Sequence, residues 1–197
     1  MPGWSKPLLI AALLFIGVFG ALASRPIERP RGVLVDREPV QGATERTAFM
    51  HGTFELRPQA SYEIEARVLS VERYRFEGGA RLSPLDFAVG WGPMSDSTVL
   101  SHFRITQGGR FFMIYPDEQA LDLSDALGSS ANMHLIPATA QIRDRLGDVR
   151  AGHLVRLRGL LVNASGPNGY TWQTSPSRSD TGDGACELFF VEGVSIR

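Results

Sequence analysis

The most regular pattern of hydrophobic and polar positions lies between residues 132 and 163, where it predicts a strand, a helix and a second strand. The first strand is the short apolar run 132–136, which stops at Pro137 because proline cannot donate to a sheet hydrogen bond. Thr139 is a suitable N-cap for the helix. Three apolar residues then recur at helical spacing on one side of that helix: Ile142, Leu146 and Val149.

In the second strand of this unit, 153–163, four residues share one face by strict alternation. The residues predicted to face the core are Val155, Leu157, Gly159 and Leu161. Arg156 and Arg158 point to the opposite side. Gly159 marks a place where the strand bends or another backbone approaches closely, which is typical of a strand in a small closed barrel.

Upstream, residues 62–68 alternate in the same way, and the side chains predicted to be buried are Ile64, Ala66 and Val68. The apolar positions change parity at Leu69 and Val71, as they do where a β-bulge shifts a strand. We therefore expect one long first strand that serves both halves of a barrel. Before it, residues 49–56 are predicted to form an edge strand.

The stretch that follows the first strand lacks an alternating pattern and predicts two short helices. The run 83–86 places a serine cap before a first-turn proline, and Asp96 can cap the second helix, 97–102. Between these helices lies the glycine-flanked turn 90–96, which presents Trp91. A turn of this composition is the best candidate for a functional loop.

The remaining strands are predicted at 104–107, 111–115, 170–174 and 186–191. The first two form a hairpin around a turn at Gly108 and Gly109. Residues 117–127 are ambiguous between a helix and a loop with a strand.

From residue 62 onward, the order compared with known barrels is strand, helical insertion, strand, strand, helix, strand, strand, which uses five of the seven predicted strands. In an oligonucleotide/oligosaccharide-binding (OB) barrel the helix lies between the third and fourth of five strands, which is where 141–146 falls. The sequence therefore predicts a mainly β domain. Its expected form is an OB-like five-stranded barrel with a helical insertion after the first strand and a helix between strands three and four. A mixed sheet with helices on one face is the alternative.

The N-terminal region predicts export. Residues 8–23 carry no charge, follow Lys6 and end in a small-x-small pattern at Ala21 and Ala23. The run is shorter than the roughly 20 residues that a spanning helix needs. We therefore interpret 1–23 as a cleaved signal peptide, which predicts a periplasmic or secreted protein. The alternative is a retained anchor in the inner membrane.

The rest of the chain is divided into an extended lead-in, 24–60, and one domain, 61–197. The formal net charge is −1, without the basic excess of a general nucleic-acid binder, so nucleic acid is not the expected partner. The single cysteine, Cys186, permits no internal disulfide and is expected to be an inert core residue. Lys6 is the sole lysine, so the mature chain lacks the amine for a Schiff-base mechanism.

Three strings in the chain form a fairly specific combination: GWGPMSD at 90–96, NMHLIPA at 132–138 and DTGDGACE at 180–187. Together they resemble an uncharacterised family of exported proteobacterial proteins. The resemblance covers roughly residues 62–192. It implies export and a single compact domain, and it implies no activity.

Common catalytic motifs are missing from the sequence, including Gly-x-Ser-x-Gly, His-Glu-x-x-His, Cys-x-x-Cys and the Walker loop. The enzymatic or metal hypothesis is therefore a dispersed site. It would use His102 and His134, with Asp96 as orienting acid and Asp180 or Asp183 as further ligands. These residues have no diagnostic spacing, so structural histidines and a polar turn at 180–184 are the simpler interpretation.

A binding site is the stronger hypothesis. Its predicted residues are Trp91, Met94, Tyr170, Trp172, Arg156 and Arg158. Aromatic and guanidinium planes on a barrel face can stack a sugar, a base or a peptide group. In the competing interpretation the aromatic residues cover the ends of the barrel, and the arginines pair with Glu63 and Glu65 on a neighbouring strand.

The sequence as a whole therefore predicts an exported binding or assembly module without catalysis and without a cofactor. The expected partner is a protein, a peptide or a glycan of the cell envelope, with membrane contact only through residues 8–23 if they are retained. The alternative function is a small periplasmic hydrolase or metal-dependent enzyme that uses His134, His102 and Asp96.

Overall fold

The computed structural model of the protein describes residues 25–175 and 186–197. The strands are β1 (Val40–Gly42), β2 (Phe49–His51), β3 (Phe54–Arg73), β4 (Leu85–Gly90), β5 (Phe103–Gly108), β6 (Phe111–Pro116), β7 (Ser130–Pro137), β8 (Leu154–Ser165), β9 (Thr171–Trp172) and β10 (Glu187–Ile196). The α-helices are α1 (Ser97–Leu100), α2 (Leu123–Gly128) and α3 (Ala140–Gly147). Two 3-10 turns cover Gly92–Ser95 and Pro167–Gly169. The protein is mainly β, as the sequence predicts.

Five strands pair in a ring. β3 pairs with β4, β4 with β7, β7 with β10, β10 with β8, and β8 again with β3. The pairing of β7 with β10 is parallel and the other four are antiparallel. The inward faces of all five strands supply the main hydrophobic core, which includes Ile64, Phe87, Leu135, Leu157 and Phe189.

A second core lies on the other face of the same strands. Its buried members are Phe54, Leu56, Leu82, Ile136, Leu160, Val162, Ala164, Leu188 and Phe190. It exists because β3 and β8 are longer than the ring requires. Their far halves remain paired beyond the ring, with Leu56 opposite Ala164, and β9 adds to β8 at that end.

The register of β3 shifts twice, and the first shift separates Leu56, in the second core, from Ala60, in the main core. One shift falls between Pro58 and Ala60, and the second falls between Val68 and Ser70. The second confirms the bulge predicted at Leu69. The predicted alternation before it is also confirmed, since Ile64 and Val68 are buried. A bulge turns the following side chains to the opposite face of a strand.

The predicted helical insertion directly after the first strand is wrong. The run predicted to begin a helix leads into β4, in which all six residues are buried. β4 lies between β3 and β7 with both faces covered, so its sequence is apolar except at Asp86 and shows no alternation. Pro84 stands immediately before it, a position that proline tolerates at the start of a strand.

The insertion follows the second strand of the ring instead, between β4 and β7. It contains α1, the β5–β6 hairpin and α2. The hairpin is confirmed, but it forms a separate two-stranded sheet and contributes nothing to the ring. The ambiguous segment 117–127 contains most of α2.

The central unit agrees with its prediction. Thr139 Oγ1 accepts a hydrogen bond from the N–H of Ile142, which starts α3 between β7 and β8, the third and fourth strands of the ring. Gly159 lies where two backbones meet, because a Cβ added there would be 2.0 Å from Phe190 O. The returning strand predicted at 170–174 is shorter, and only Thr171–Trp172 pairs with β8.

The predicted signal peptide, residues 1–23, lies outside the described residues. Within 25–175 and 186–197, we find no helix with the length and hydrophobicity needed to span a membrane.

The predicted edge strand 49–56 is divided between β2 and the start of β3. The chain turns between these two strands at Gly52, where φ is +60°.

Candidate functional site

The loop predicted to be functional, Gly90–Asp96, is packed into the protein. We call it the docking loop. Trp91 is 5% exposed and Met94 is fully buried, so neither lies on an open face. The loop folds tightly onto its first residue, since a Cβ on Gly90 would be 2.5 Å from Met94 O.

The docking loop holds the N-terminal lead-in. The buried Ser95 Oγ accepts hydrogen bonds from the backbone N–H groups of Leu34 and Val35, each at 3.0 Å. The N–H of Gly92 donates to Val35 O at 2.7 Å. The polar groups of this loop therefore bind the protein's own chain.

Asp96 has the capping role that the sequence predicts. Its Oδ1 accepts hydrogen bonds from Thr98 N at 2.7 Å and from Gly32 N at 2.9 Å. These two backbone donors lower the pKa of the Asp96 carboxyl below its ordinary value. One carboxylate thus starts α1 and fixes the lead-in.

His102 and His134 contact different carboxylates. His102 Nδ1 lies 3.0 Å from Asp117 Oδ2, and this hydrogen bond lowers the pKa of Asp117. Among the residues that the structure describes, no group of three or more His, Cys, Asp or Glu side chains is arranged to hold a metal ion. Asp180 and Asp183 lie outside that part of the chain.

His134 faces Asp86 across the β4–β7 pair, where the two residues are directly opposite. His134 Nδ1 and Asp86 Oδ2 are 2.9 Å apart, and their side chains are 4% and 0% exposed. The two atoms are close but not aligned as a hydrogen bond, and neither has a hydrogen-bond partner elsewhere in 25–175 or 186–197. The contact is an ion pair when the imidazole is protonated.

Arg110 binds the other oxygen of the same carboxylate. Its Nη1 lies 2.7 Å from Asp86 Oδ1, its Nη2 donates to Ser83 O at 2.9 Å, and it also pairs with Glu77. Arg110 adopts φ of +72° beside Gly109 at +59°, so these two residues form the turn of the β5–β6 hairpin. An arginine held in the left-handed region is uncommon and marks a constrained position.

Aromatic rings enclose this ion pair. The Arg110 guanidinium carbon lies 3.6 Å from the centre of the Tyr74 ring and 5.2 Å from that of Trp172. The Trp172 ring is tilted by 48° against the His134 ring at 4.7 Å. Burial and the charge of Asp86 raise the pKa of Tyr74 to about 12.

We call Asp86, Arg110, His134, Trp172 and Tyr74 the charged cluster. Asn132 supports it from β7, donating from Nδ2 to Arg110 O at 2.8 Å. The same amide nitrogen lies 3.5 Å from Cys186 Sγ, which is partly exposed rather than in the core as expected. The cluster thus joins two ring strands, the hairpin turn and two connecting segments.

The other predicted binding residues lie apart from one another. Tyr170 packs edge-on against Phe54 in the second core, at 5.6 Å. On the outward side of β8, Arg156 Nε donates to Glu63 Oε1 at 2.7 Å, which is the pairing proposed in the competing interpretation. Arg158 lies across Gly193, where an added Cβ would be 2.4 Å from its Nε.

Sequence reasoning identified His134 and Trp172 but missed Asp86 and Arg110. The sequence predicts a helix start at Asp86 and places the hairpin turn one residue early. One signal was available: Asp86 is the single charged residue in the apolar run Leu85–Gly90. A charge in such a run requires a buried partner.

No protein-family model, curated protein or solved structure matches this chain. The resemblance to an exported proteobacterial family stays a prediction. The chemistry of the cluster is therefore argued from its geometry. It presents a planar cation between two rings, with one buried carboxylate and one buried imidazole beneath them.

Proposed function

We propose that the protein is an exported, non-catalytic binding module built on an OB-like barrel, with its ligand held at the charged cluster. The order of the ring supports the barrel, because its first and fourth strands pair and its helix lies between the third and fourth. Fold alone does not supply a function, so the proposal depends on where the cluster lies.

The position of the cluster carries the proposal. OB folds bind ligands on the face of their second and third strands, between the first–second and fourth–fifth connections. Here Asp86 and His134 lie on β4 and β7, the second and third ring strands. Tyr74 comes from the connection between β3 and β4, and Trp172 from that between β8 and β10.

The chemistry of the cluster favours a ligand with a flat face and polar edges. Trp172 and Tyr74 are partly exposed, and the Arg110 side chain is 14% exposed. Rings and guanidinium groups stack sugars, bases and peptide planes. A glycan, a peptide or a protein segment of the cell envelope is therefore the proposed partner, and the site uses no cofactor.

Indole NMR signals test this proposal, because Trp172 and the buried Trp91 report on different places. The full chain is titrated with a peptidoglycan fragment, a proline-rich peptide and a single-stranded oligonucleotide. We expect the glycan or the peptide to shift the Trp172 indole signal and leave that of Trp91 unchanged. Trp172→Ala should weaken binding roughly tenfold or more, the usual cost of losing one stacking ring.

Binding that shifts the Trp91 signal, or that survives Trp172→Ala, would place the ligand elsewhere. A preference for the oligonucleotide would contradict the proposed partner class. No shift with any of the three probes at millimolar concentration would overturn the proposal.

The contact between His134 and Asp86 favours a second candidate, a small periplasmic hydrolase. An imidazole whose Nδ1 faces a buried carboxylate is oriented as a general base. In this candidate Asp86, rather than Asp96, is the acid that orients the histidine. Asp96 instead caps α1, and His102 contacts Asp117. Turnover of chromogenic esters and glycosides that disappears in His134→Gln with folding intact would favour the enzyme.

Export and signal cleavage are part of the same proposal. A mature chain that begins at Ser24 would support cleavage, whereas a chain that keeps residues 8–23 would support an inner-membrane anchor. Intact-mass measurement on protein from the cell envelope of its own host distinguishes these two forms.

A further inference from the structure

A groove on the outward side of β8 is lined by arginines and is built from different elements than the charged cluster. It has a volume of about 410 Å³, within the range of small-molecule sites. The residues that line it come from β3, α3, β8 and β10: Glu63, Ile142, Arg145, Arg156, Arg158, Gly193, Val194 and Ser195. The polar side chains at its wall are three guanidinium groups, one carboxylate and one hydroxyl.

The fold directs these arginines to one place. Alternation along β8 sends Arg156 and Arg158 outward while Val155 and Leu157 fill the core. Arg145 arrives from α3, whose Leu146 is buried.

Gly193 makes room for one of these side chains. An added Cβ would lie 2.4 Å from Arg158 Nε and 2.8 Å from its Cγ, so the Arg158 stem crosses the strand at this glycine. Gly193 follows a register shift in the β10–β8 pair that begins at Val191. The bulge and the glycine together let the guanidinium group lie over β10.

The charges in the groove are not balanced. Glu63 pairs with Arg156, and the neighbouring Glu65 pairs with Arg197. Within 25–175 and 186–197, Arg145 and Arg158 take part in no ion pair. Two guanidinium groups thus remain available at the wall of one concave surface.

We infer that this groove is a binding site for a phosphate group, with Arg145 and Arg158 as its ligands. Guanidinium groups bind the oxygen atoms of phosphate in pairs, through parallel charge-assisted hydrogen bonds. The Glu63–Arg156 pair holds Arg156 in position and leaves the other two cations for the anion. The phosphate belongs to a small ester or to a lipid headgroup, and the two sources share this chemistry.

Calorimetric titration of the full chain with inorganic phosphate tests the inference, with chloride replacing phosphate at equal ionic strength. We expect saturable binding of one phosphate. The double variant Arg145→Gln/Arg158→Gln should weaken it by roughly tenfold or more, the size expected for lost charge-assisted hydrogen bonds. Arg143→Gln is the matched control, because Arg143 is exposed on the same helix and does not line the groove.

Gly193→Ala provides a second variant that keeps every charge. Its new Cβ displaces the Arg158 side chain, so phosphate affinity should fall, although less than in the double variant. Because Arg145 and Arg158 are exposed, the thermal midpoints of the arginine variants should match that of the parent chain.

Glucose 6-phosphate and phosphatidylglycerol vesicles then identify the source. Tighter binding of the soluble ester, lost in the double variant, supports a small phosphate ester. Co-sedimentation with vesicles, lost in the same variant, supports a lipid headgroup. Binding heats for phosphate equal to those for chloride would overturn the site. An equal loss of phosphate affinity in Arg143→Gln and in the double variant would also overturn it.

Discussion

Ser95 of the docking loop and Asp86 and His134 of the charged cluster are all buried, but the polar atoms of the two regions are satisfied in different ways. In the docking loop, Ser95 Oγ and the Asp96 carboxylate each accept two backbone N–H groups. In the charged cluster, Asp86 Oδ2 and His134 Nδ1 face each other without a hydrogen bond. A polar, glycine-rich loop is thus no sign of a ligand until the partners of its polar atoms are known.

The two regions also differ in where their partners come from. The docking loop binds the backbone of one segment, the lead-in around Val35. The cluster collects side chains from two strands, a hairpin turn and two connections. Substitutions should therefore loosen one segment in the first region and disturb several elements in the second.

The largest effect is expected from Asp86→Ala, which leaves Arg110 and His134 without their shared carboxylate. Loss of one partner from a buried ion pair costs about 3–5 kcal/mol of unfolding free energy, to be measured by urea denaturation. The exposed pair supplies a control, since Glu63→Ala should cost roughly 0–1 kcal/mol. Equal, small losses in the two variants would mean that the cluster is as hydrated as the surface.

A smaller loss is expected from Gly90→Ala in the docking loop. The added methyl group would lie 2.5 Å from Met94 O and 2.8 Å from Met94 Cβ. Met94 O belongs to the backbone, which cannot move aside as the end of a flexible side chain can. Overpacking of this kind costs about 2–3 kcal/mol. Gly108→Ala is the control, because nothing lies within 4 Å of its added Cβ. If both variants unfold at the same urea concentration, the loop is not tightly closed.

Ser95→Ala should detach the lead-in while leaving the ring folded. It removes the acceptor of the Leu34 and Val35 N–H groups, and Val35 is buried. An unsatisfied buried N–H costs about 1–2 kcal/mol. Hydrogen exchange should accelerate at these two amides and remain slow in β8. Accelerated exchange throughout the ring would show that the lead-in is required for the core.

The smallest effect is the pH dependence supplied by Asp96. Its folded pKa lies below the ordinary value of 3.8, so its contribution is complete above that value and is lost as the pH falls through the folded pKa. Asp96→Asn should therefore make stability less sensitive to acid below pH 3.8, as measured by thermal melts along a pH series. A parallel pH profile in the variant would assign the acid sensitivity to other carboxylates.

The sequence predicts well the features that depend on neighbouring residues. The alternation in β8, the Thr139 cap and the bulge at Leu69 are all set within a few positions, and each is confirmed. β4 was missed because a strand buried on both faces has no alternation to detect. The sequence therefore predicts four of the five ring strands, β3, β7, β8 and β10, and misses the fifth.

The site was harder to predict than the fold because its contacts are tertiary. Arg110 and Asp86 are 24 residues apart in the sequence. The Arg110 side chain reaches Asp86 from a hairpin turn, where the Arg110 backbone adopts a left-handed conformation. Pairing of His134 with Asp86 follows from the register of β4 against β7. Because the sequence pattern predicts no strand at β4, it predicts no register for this pair.

The ring has a consequence for the order of events during folding. Its closure joins Tyr62 to Gly159, and β10 must then enter between β7 and β8. Chains dominated by such distant pairings fold in milliseconds to seconds, because loop entropy is lost before the contacts form. The first half of the chain therefore stays open while the second half is still being made. Stopped-flow refolding measures how long this open state lasts.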